Sequence, residues 1–456
     1  MSMTLLDNQI DSIARGQFLS MTGRVISVGA MHVDLEGLFL PVGSFVEIQR
    51  DTLGCTHEHL IAQVVSLHGS RQRAIPLESP QGVRAGALVK SAAGLDSVAV
   101  GRNMLGTVLD GLGRPIGGNC DFAVEGMYPV YAEPPIALER RPILQPLPTG
   151  IRSIDSMHTF GMGQRMGVFA GTGVGKSILM GMIARQTAAD VIVVALVGER
   201  GREVGDFLRK DLGEEGMKRC VMVVSTSDES PVMRVRAGFV ATAVSEYFRD
   251  RGQDVLLMMD STTRIAMAQR EIGLAAGEPP ATKGYPPSTF SLLPRLLERS
   301  GQNATGSITG LYTVLVEGDD LNEPISDAMR GILDGHVWLS RKLANRGHFP
   351  AVSCLESVSR VMPDVVNDEH LRASRSIRQV LATWDDIEDL VNLGAYARGT
   401  SPDFDVAIDM KPEVDAFLRQ DMQETASWKD TCDNLLALAA KVDSLKERLN
   451  RTNVAS

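Results

Sequence analysis

Residues Ala170-Gly171-Thr172-Gly173-Val174-Gly175-Lys176-Ser177 have the spacing of a phosphate-binding loop: a small residue, four positions, then Gly-Lys-Ser. Glycines at such a turn let successive backbone N–H groups point inward around phosphate oxygens. Lys176 adds a positive point charge for the β- and γ-phosphates, and Ser177 offers its hydroxyl to Mg²⁺. A helix beginning there presents its positive end to the same anion. Ala170 stands where the first glycine is usual, which asks for a less strained turn. Gly171 through Ser177 are therefore the expected nucleotide-binding residues.

Hydrolysis needs more than binding: a metal anchor and a group that orients water. Asp260 closes the apolar run 255–259, at the C-terminal edge of a buried strand, where a carboxylate can hold a Mg²⁺-bound water. Capping a helix ahead of Ser261-Thr262-Thr263 is the alternative use of that side chain. Glu199 follows the run 191–197 at another such edge and can polarise an attacking water. Taken alone, Gly198-Glu199-Arg200 reads more readily as a charged surface turn.

These groups need a scaffold. Apolar runs at 166–169, 191–197, 221–224, 255–259 and 312–316 alternate with helical stretches, which predicts a parallel sheet covered on both faces. Ahead of it, short β-type runs punctuated by glycine over 23–90 predict a small barrel. The Gly- and Pro-rich segment 93–150 reads as a lead-in linker lying against the larger domain. Beyond Pro363 the pattern turns helical, at 371–383, 385–393 and a last amphipathic segment carrying Leu435, Leu438, Val442, Leu445 and Leu449. That stripe suits a core, a partner helix or a coiled-coil seam. At the start, Leu6, Ile10 and Ile13 mark one face of a short helix. The expected organisation is α/β: 1–20 a partner-binding helix, 21–92 a β-barrel, 93–365 an ATPase domain with a 93–150 lead-in, and 366–456 helical.

Composition bounds the partners. The 456-residue chain has a formal net charge of −10, 44% hydrophobic and 5% aromatic residues, which argues against a nucleic-acid binder. Five cysteines stand singly, without a CxxC pair, so neither a zinc site nor a disulfide framework is expected. The longest apolar stretch, 191–197, is far below the ~20 residues that span a membrane. A cytoplasmic protein is expected, with any membrane association through partners.

In order along the chain stand AGTGVGKS, VGERGREVGDF, LLMMDSTTR, GEPPATKGYPPSTFSLLPRLLERSG, YTVLVEGDDLNEPISD and GHFPAVSCLESVSRVMP. Together these blocks resemble the flagellum-specific ATPases, and closely the ATPases of injectisome type III secretion systems. The catalytic β subunit of rotary F-type ATP synthases is more distantly similar. The resemblance covers about residues 20 to 420 and implies a RecA-like P-loop domain with ATP and Mg²⁺ as its ligands. It further implies that Lys176 and Ser177 bind phosphate and Mg²⁺ and that Glu199 activates water. Arg200, Glu203 (on the metal through water), Asp260 and Arg264 would surround the metal and γ-phosphate. Phe349 would stack on adenine where a Tyr is common, and Arg360 would be an arginine finger reaching a neighbouring site.

Glu199 and Arg360 lie in one chain, so the resemblance implies a homo-hexamer with sites between identical neighbours. It also implies a stator-like regulatory protein at the N-terminal helix, a central stalk, export-gate membrane proteins and chaperone–cargo complexes as partners. The ring would sit at the inner membrane peripherally. The proline-rich loop 277–287 would face its pore. Gly394-Ala395-Tyr396 followed by Gly399-Thr400-Ser401-Pro402 resembles the flagellar pattern more than the injectisome one. A synthase β subunit is disfavoured by the absence of an acidic lever segment, and by the Val316 to Asp320 block, which follows the secretion-type pattern. Non-catalytic subunits tend to lack the glutamate found at Glu199.

Overall fold

The computed structural model describes residues 22–51, 59–118, 121–316, 318, 320 and 322–454. The expected helix with Leu6, Ile10 and Ile13 lies outside the described residues, as do Cys55, Cys120, Glu317 and Asp319.

The first unit is a closed antiparallel barrel. Its strands are Thr22–Val28, Val33–Glu36, Phe45–Gln49, His59–His68, Arg71–Pro76 and Leu88–Ala92, with the first closing on the last through Arg24 opposite Leu88. Alternation drives it: Leu60, Ala62 and Val64 point inward from one strand and meet Val33, Leu35, Val46 and Ile48 in a dry centre.

The central sheet runs in the order Val358–Ser359, Gly335–Leu339, Arg165–Ala170, Ser307–Leu315, Asp254–Asp260, Val191–Glu199, Cys220–Thr226, Thr107–Leu109, Pro115–Gly118. Along this order the interior pairings are parallel and the two outermost strands pair antiparallel, while the short strand Gly301–Gln302 adds antiparallel to the start of Ser307–Leu315. One face packs on helices Pro231–Arg249, Thr262–Ala276 and Pro287–Leu297; the other packs on Lys176–Gln186. This is why the strands read as unbroken apolar runs.

Three features of this domain differ from the sequence reading. Residues 93–150 do more than lie against the domain: Thr107–Leu109 joins the sheet beside Cys220–Thr226, with Val108 opposite Met222. The strand read at 312–316 begins at Ser307, its start disguised by Ser307, Thr309 and Gly310. Gly335–Leu339 is an additional strand that the apolar pattern did not single out.

The C-terminal helices Asp368–Asn392, Pro402–Leu418 and Trp428–Val454 pack on one another around Ile377, Val414 and Leu435. The two stretches read at 371–383 and 385–393 form one continuous helix. Leu438 and Val442 are buried, with Leu445 and Leu449 packed beside them, so the last stripe is core. The Tyr396 hydroxyl and the Gly399 N–H both donate to the Asp405 carboxylate, at 3.1 and 2.8 Å, closing the turn between the first two helices.

Candidate functional site

Three parallel strands end together at one edge of the sheet. Arg165–Ala170 runs into the phosphate-binding loop, Asp254–Asp260 ends on Asp260, and Val191–Glu199 ends on Glu199. Within the loop, Gly173 and Gly175 take φ of +77° and +91°, values a side chain would resist. Ala170 is fully buried with ordinary strand geometry, so its methyl fits where glycine is usual. Lys176 then opens the helix Lys176–Gln186, anchored by Leu179, Met182 and Ile183 in the core beneath. Ser177 is exposed in its first turn.

The Lys176 ammonium is ion-paired to Asp260 Oδ1 and lies 3.9 Å from Glu199 Oε1. Thr313, on the strand between the lysine and Asp260, donates its hydroxyl to Asp260 Oδ1 at 2.6 Å. One cation thus sits between two carboxylates, all three side chains at most 13% exposed. Burial pushes the Glu199 carboxyl up to about 7; the Asp260 charge and a hydrogen bond with Glu203 add to it, and Lys176 partly offsets them. A carboxyl in that range is matched to general-base work near neutrality.

Gly198 bends this strand end at φ +71°, and a Cβ there would come within 2.9 Å of the Arg264 Cβ. Arg264 can therefore lie across the strand beside Glu199. It belongs to Thr262–Ala276, whose N-cap Ser261 accepts the Arg264 N–H at 3.3 Å. The Arg264 Nε is buried without a protein partner, whereas buried donors are normally satisfied. Arg200 is exposed at the N-cap of Gly201–Asp206, and Glu203 is exposed one turn further on.

Beside the loop opens a cleft of about 610 Å³, lined by Ile178, Leu179, Met182, Phe349, Arg419 and Met422 among others. Phe349 is 46% exposed, and its ring borders Gly175 as a flat wall of this cleft. The segment 416–424 forms the opposite wall, and the sequence reading missed it. Gln420 holds it in place: its N–H donates to Phe349 O at 2.9 Å, and its side chain bonds Gly150 O and Arg152 N. Arg152, ion-paired to Glu424, and Arg185, bonded to Met422 O, complete the attachment. No local spacing near 420 signals a ligand, because the wall exists only once the C-terminal helices have docked.

Arg360 is not brought to this site. It follows the edge strand Val358–Ser359, which pairs with Gly335 and His336 at the far end of Gly335–Leu339 from the phosphate loop. Its side chain is exposed on the flank of the domain.

The site and sheet define a P-loop ATPase of the rotary ATP synthase kind. Residues 150–359 match the ATP synthase alpha/beta family nucleotide-binding domain, and 366–437 match the T3SS EscN ATPase C-terminal domain. The chain is 48% identical to the flagellum-specific ATP synthase of Bacillus subtilis, over 94% of this chain and 98% of that protein. With the type 3 secretion system ATPase of Pseudomonas savastanoi it shares 43% over 92% and 94%. The assembled ATPase EscN from the enteropathogenic E. coli type III secretion system superposes with a TM-score of 0.86 at 42% identity, covering 91% of this chain and all of that one. The chain belongs to the flagellum-specific and type 3 secretion ATPase family. It is an ATPase.

Proposed function

We propose that this chain hydrolyses Mg²⁺-ATP in a homo-hexameric cytoplasmic ring that energises type III export of flagellar components, releasing cargo from chaperones at the export gate. The observation that carries the proposal is the cluster of Lys176, Glu199 and Asp260 at one strand edge, with Arg360 of the same chain facing away. The residues present suit a nucleotide-borne Mg²⁺: the Ser177 hydroxyl is exposed in the first helical turn, and Asp260 is held by Thr313. Mg²⁺, when bound, supplies charge neutralisation between the β- and γ-phosphates. The loop N–H groups and Lys176 hold the phosphates, and Arg264 offers its free Nε beside them. Glu199 takes the proton of the attacking water, and Phe349 stacks the base in its cleft. Arg200 and Glu203 flank Glu199, and Glu203 would hold the metal through a water.

Support for a ring comes from the relatives: EscN is described as assembled, and in a second structure as bound to its central stalk EscO, at a TM-score of 0.84. A central stalk, a stator-like protein at the N-terminal helix, export-gate proteins and chaperone–cargo complexes are the partners this reading assigns. Injectisome export is the second reading, favoured by the match of 366–437 to the EscN C-terminal domain. Flagellar relatives at 45 to 49% identity favour the first. Among the described residues no helix is long and apolar enough to cross a membrane, which is compatible with peripheral attachment.

The test is Glu199→Gln. ATP binding and ring assembly stay intact while turnover falls by about a hundredfold or more. Unchanged turnover overturns the assigned role.

A further inference from the structure

On the flank of the sheet, away from the phosphate loop, a second cavity of about 420 Å³ is lined by Asp327, Arg330, His336, Val358 and Arg360 among others. Its two guanidinium groups come from different elements. Arg330 stands on the helix Pro324–Ile332, and Arg360 follows the strand Val358–Ser359. Arg360 is tethered to the other arm, since its N–H donates to Asp334 O at 3.0 Å and its Nη2 to the Arg330 carbonyl at 3.5 Å. Arg330 gives an Nη2–H to Asp327 Oδ1 at 3.1 Å, while its Nε is buried and has no partner. Buried guanidinium donors are normally satisfied, so this one lacks an acceptor that the chain itself does not provide.

The remaining groups favour an anion there. His336 Nε2 donates to Glu356 O at 2.9 Å, and burial above all, helped by the nearby Arg330 and Arg360 charges and opposed by the Glu356 bond, pulls the ring's pKa below its ordinary value. Two cations therefore stand against the single carboxylate of Asp327. Planar guanidiniums offered from two directions match the oxygens of a tetrahedral phosphate. No phosphate bound at this chain's own loop reaches the cavity, because the loop lies at the opposite end of Gly335–Leu339.

We propose that this cavity is the half-site one copy of the chain lends to its neighbour's nucleotide, with Arg330 as a second guanidinium donating beside Arg360 to the terminal phosphate. The inference rests on the ring reading above and adds Arg330 to the groups acting across the interface. Free inorganic phosphate shares the same chemistry and is the competing source of the ligand.

Mixing experiments separate the possibilities. In a head-to-tail ring, a Lys176→Ala chain has a dead loop but an intact flank, and an Arg330→Gln chain has the reverse. Each variant alone should lose at least about tenfold in kcat, as removal of one preorganised charge donor does. Arg330→Gln should still bind a fluorescent ATP analogue like the wild type and assemble to the same mass. Mixed with Lys176→Ala, it should regain turnover, because some interfaces then pair an intact loop with an intact flank. An Arg360→Gln chain mixed with Lys176→Ala is the control. Rescue with Arg360→Gln but not with Arg330→Gln overturns the role of Arg330 and leaves the ring reading standing. Rescue with neither overturns the ring reading itself. If Arg330→Gln fails to assemble, Arg330→Lys, which keeps the charge and loses the fork, enters the same mixture under the same criteria. Tight phosphate binding by the dilute, monomeric chain, lost in Arg330→Gln, assigns the cavity to free phosphate and overturns the half-site.

Discussion

Lys176 holds two carboxylates together that would otherwise repel, and the burial of all three side chains makes that arrangement dependent on its partners. On the proposed reading, phosphate oxygens would compete for the same ammonium, so nucleotide entry would free Asp260 to hold the metal. The role proposed for Phe349 rests on area alone, since the side chain is exposed at the cleft and carries no hydroxyl. Stacking of a base on an aromatic ring is worth roughly 1–3 kcal/mol by alanine substitution. Phe349→Ala should therefore raise KM for ATP about tenfold with kcat little changed, whereas Phe349→Tyr should leave both near wild type. Steady-state kinetics on assembled protein read this directly, and an unchanged KM in the alanine variant removes the base from this wall.

The elements that place these residues are locked by pairings distant in sequence. Arg299, fully buried, forms a two-armed ion pair with Glu246 on the helix Pro231–Arg249 and also bonds Val130 O, pinning the lead-in segment to the core. Arg299→Ala leaves Glu246 buried without a partner, which should cost about 3–5 kcal/mol in a denaturation midpoint. A loss below about 1 kcal/mol would mean water replaces the guanidinium. A second junction links the short helix Arg341–Asn345 and its C-cap Arg346, just before Phe349, to the C-terminal helices. Lys342 and Arg346 both pair with Glu388, and the Arg346 hydrogen bond above all holds that carboxyl down at about 2. Its folded value lies below the ordinary 4.5, so its stabilisation is present above about pH 4.5 and is lost as pH falls toward 2. Thermal melts from about pH 5 to about pH 3 should fall more steeply for the wild type than for Glu388→Gln. Parallel curves would show the junction contributes nothing there.

For the assembled protein, the decisive fact is the distance between the two ends of Gly335–Leu339. On the roles proposed for Glu199 and Arg360, a chain that keeps them at opposite ends of the sheet would not complete a site alone. Specific ATPase activity should therefore rise with protein concentration and collapse in samples shown by mass to be monomeric. Flat activity across that transition would falsify the shared-site ring. The open walls fit the same picture, since Arg200, Ser177 and the Phe349 ring are all exposed in the single chain.

The phosphate loop and the place of Asp260 at a strand edge are legible before any fold because their signals are local, whereas Glu199 read alone favours a surface turn and is singled out only by the resemblance. Consecutive backbone groups make the cradle, and a carboxylate closing an apolar run must fall at a strand edge. The barrel and the parallel sheet were legible for a related reason, as burial on one or both faces writes a period into the residues. What stayed hidden depends on partners supplied from elsewhere. Ser307 and Thr309 look wrong for a central strand until Asp254 and Gly163 appear as their hydrogen-bond partners. Thr107–Leu109 is too short to declare itself without Cys220–Thr226 beside it. The 416–424 wall and the Arg330–Arg360 cavity have no periodic signature either, because each is assembled from segments that only tertiary packing brings face to face.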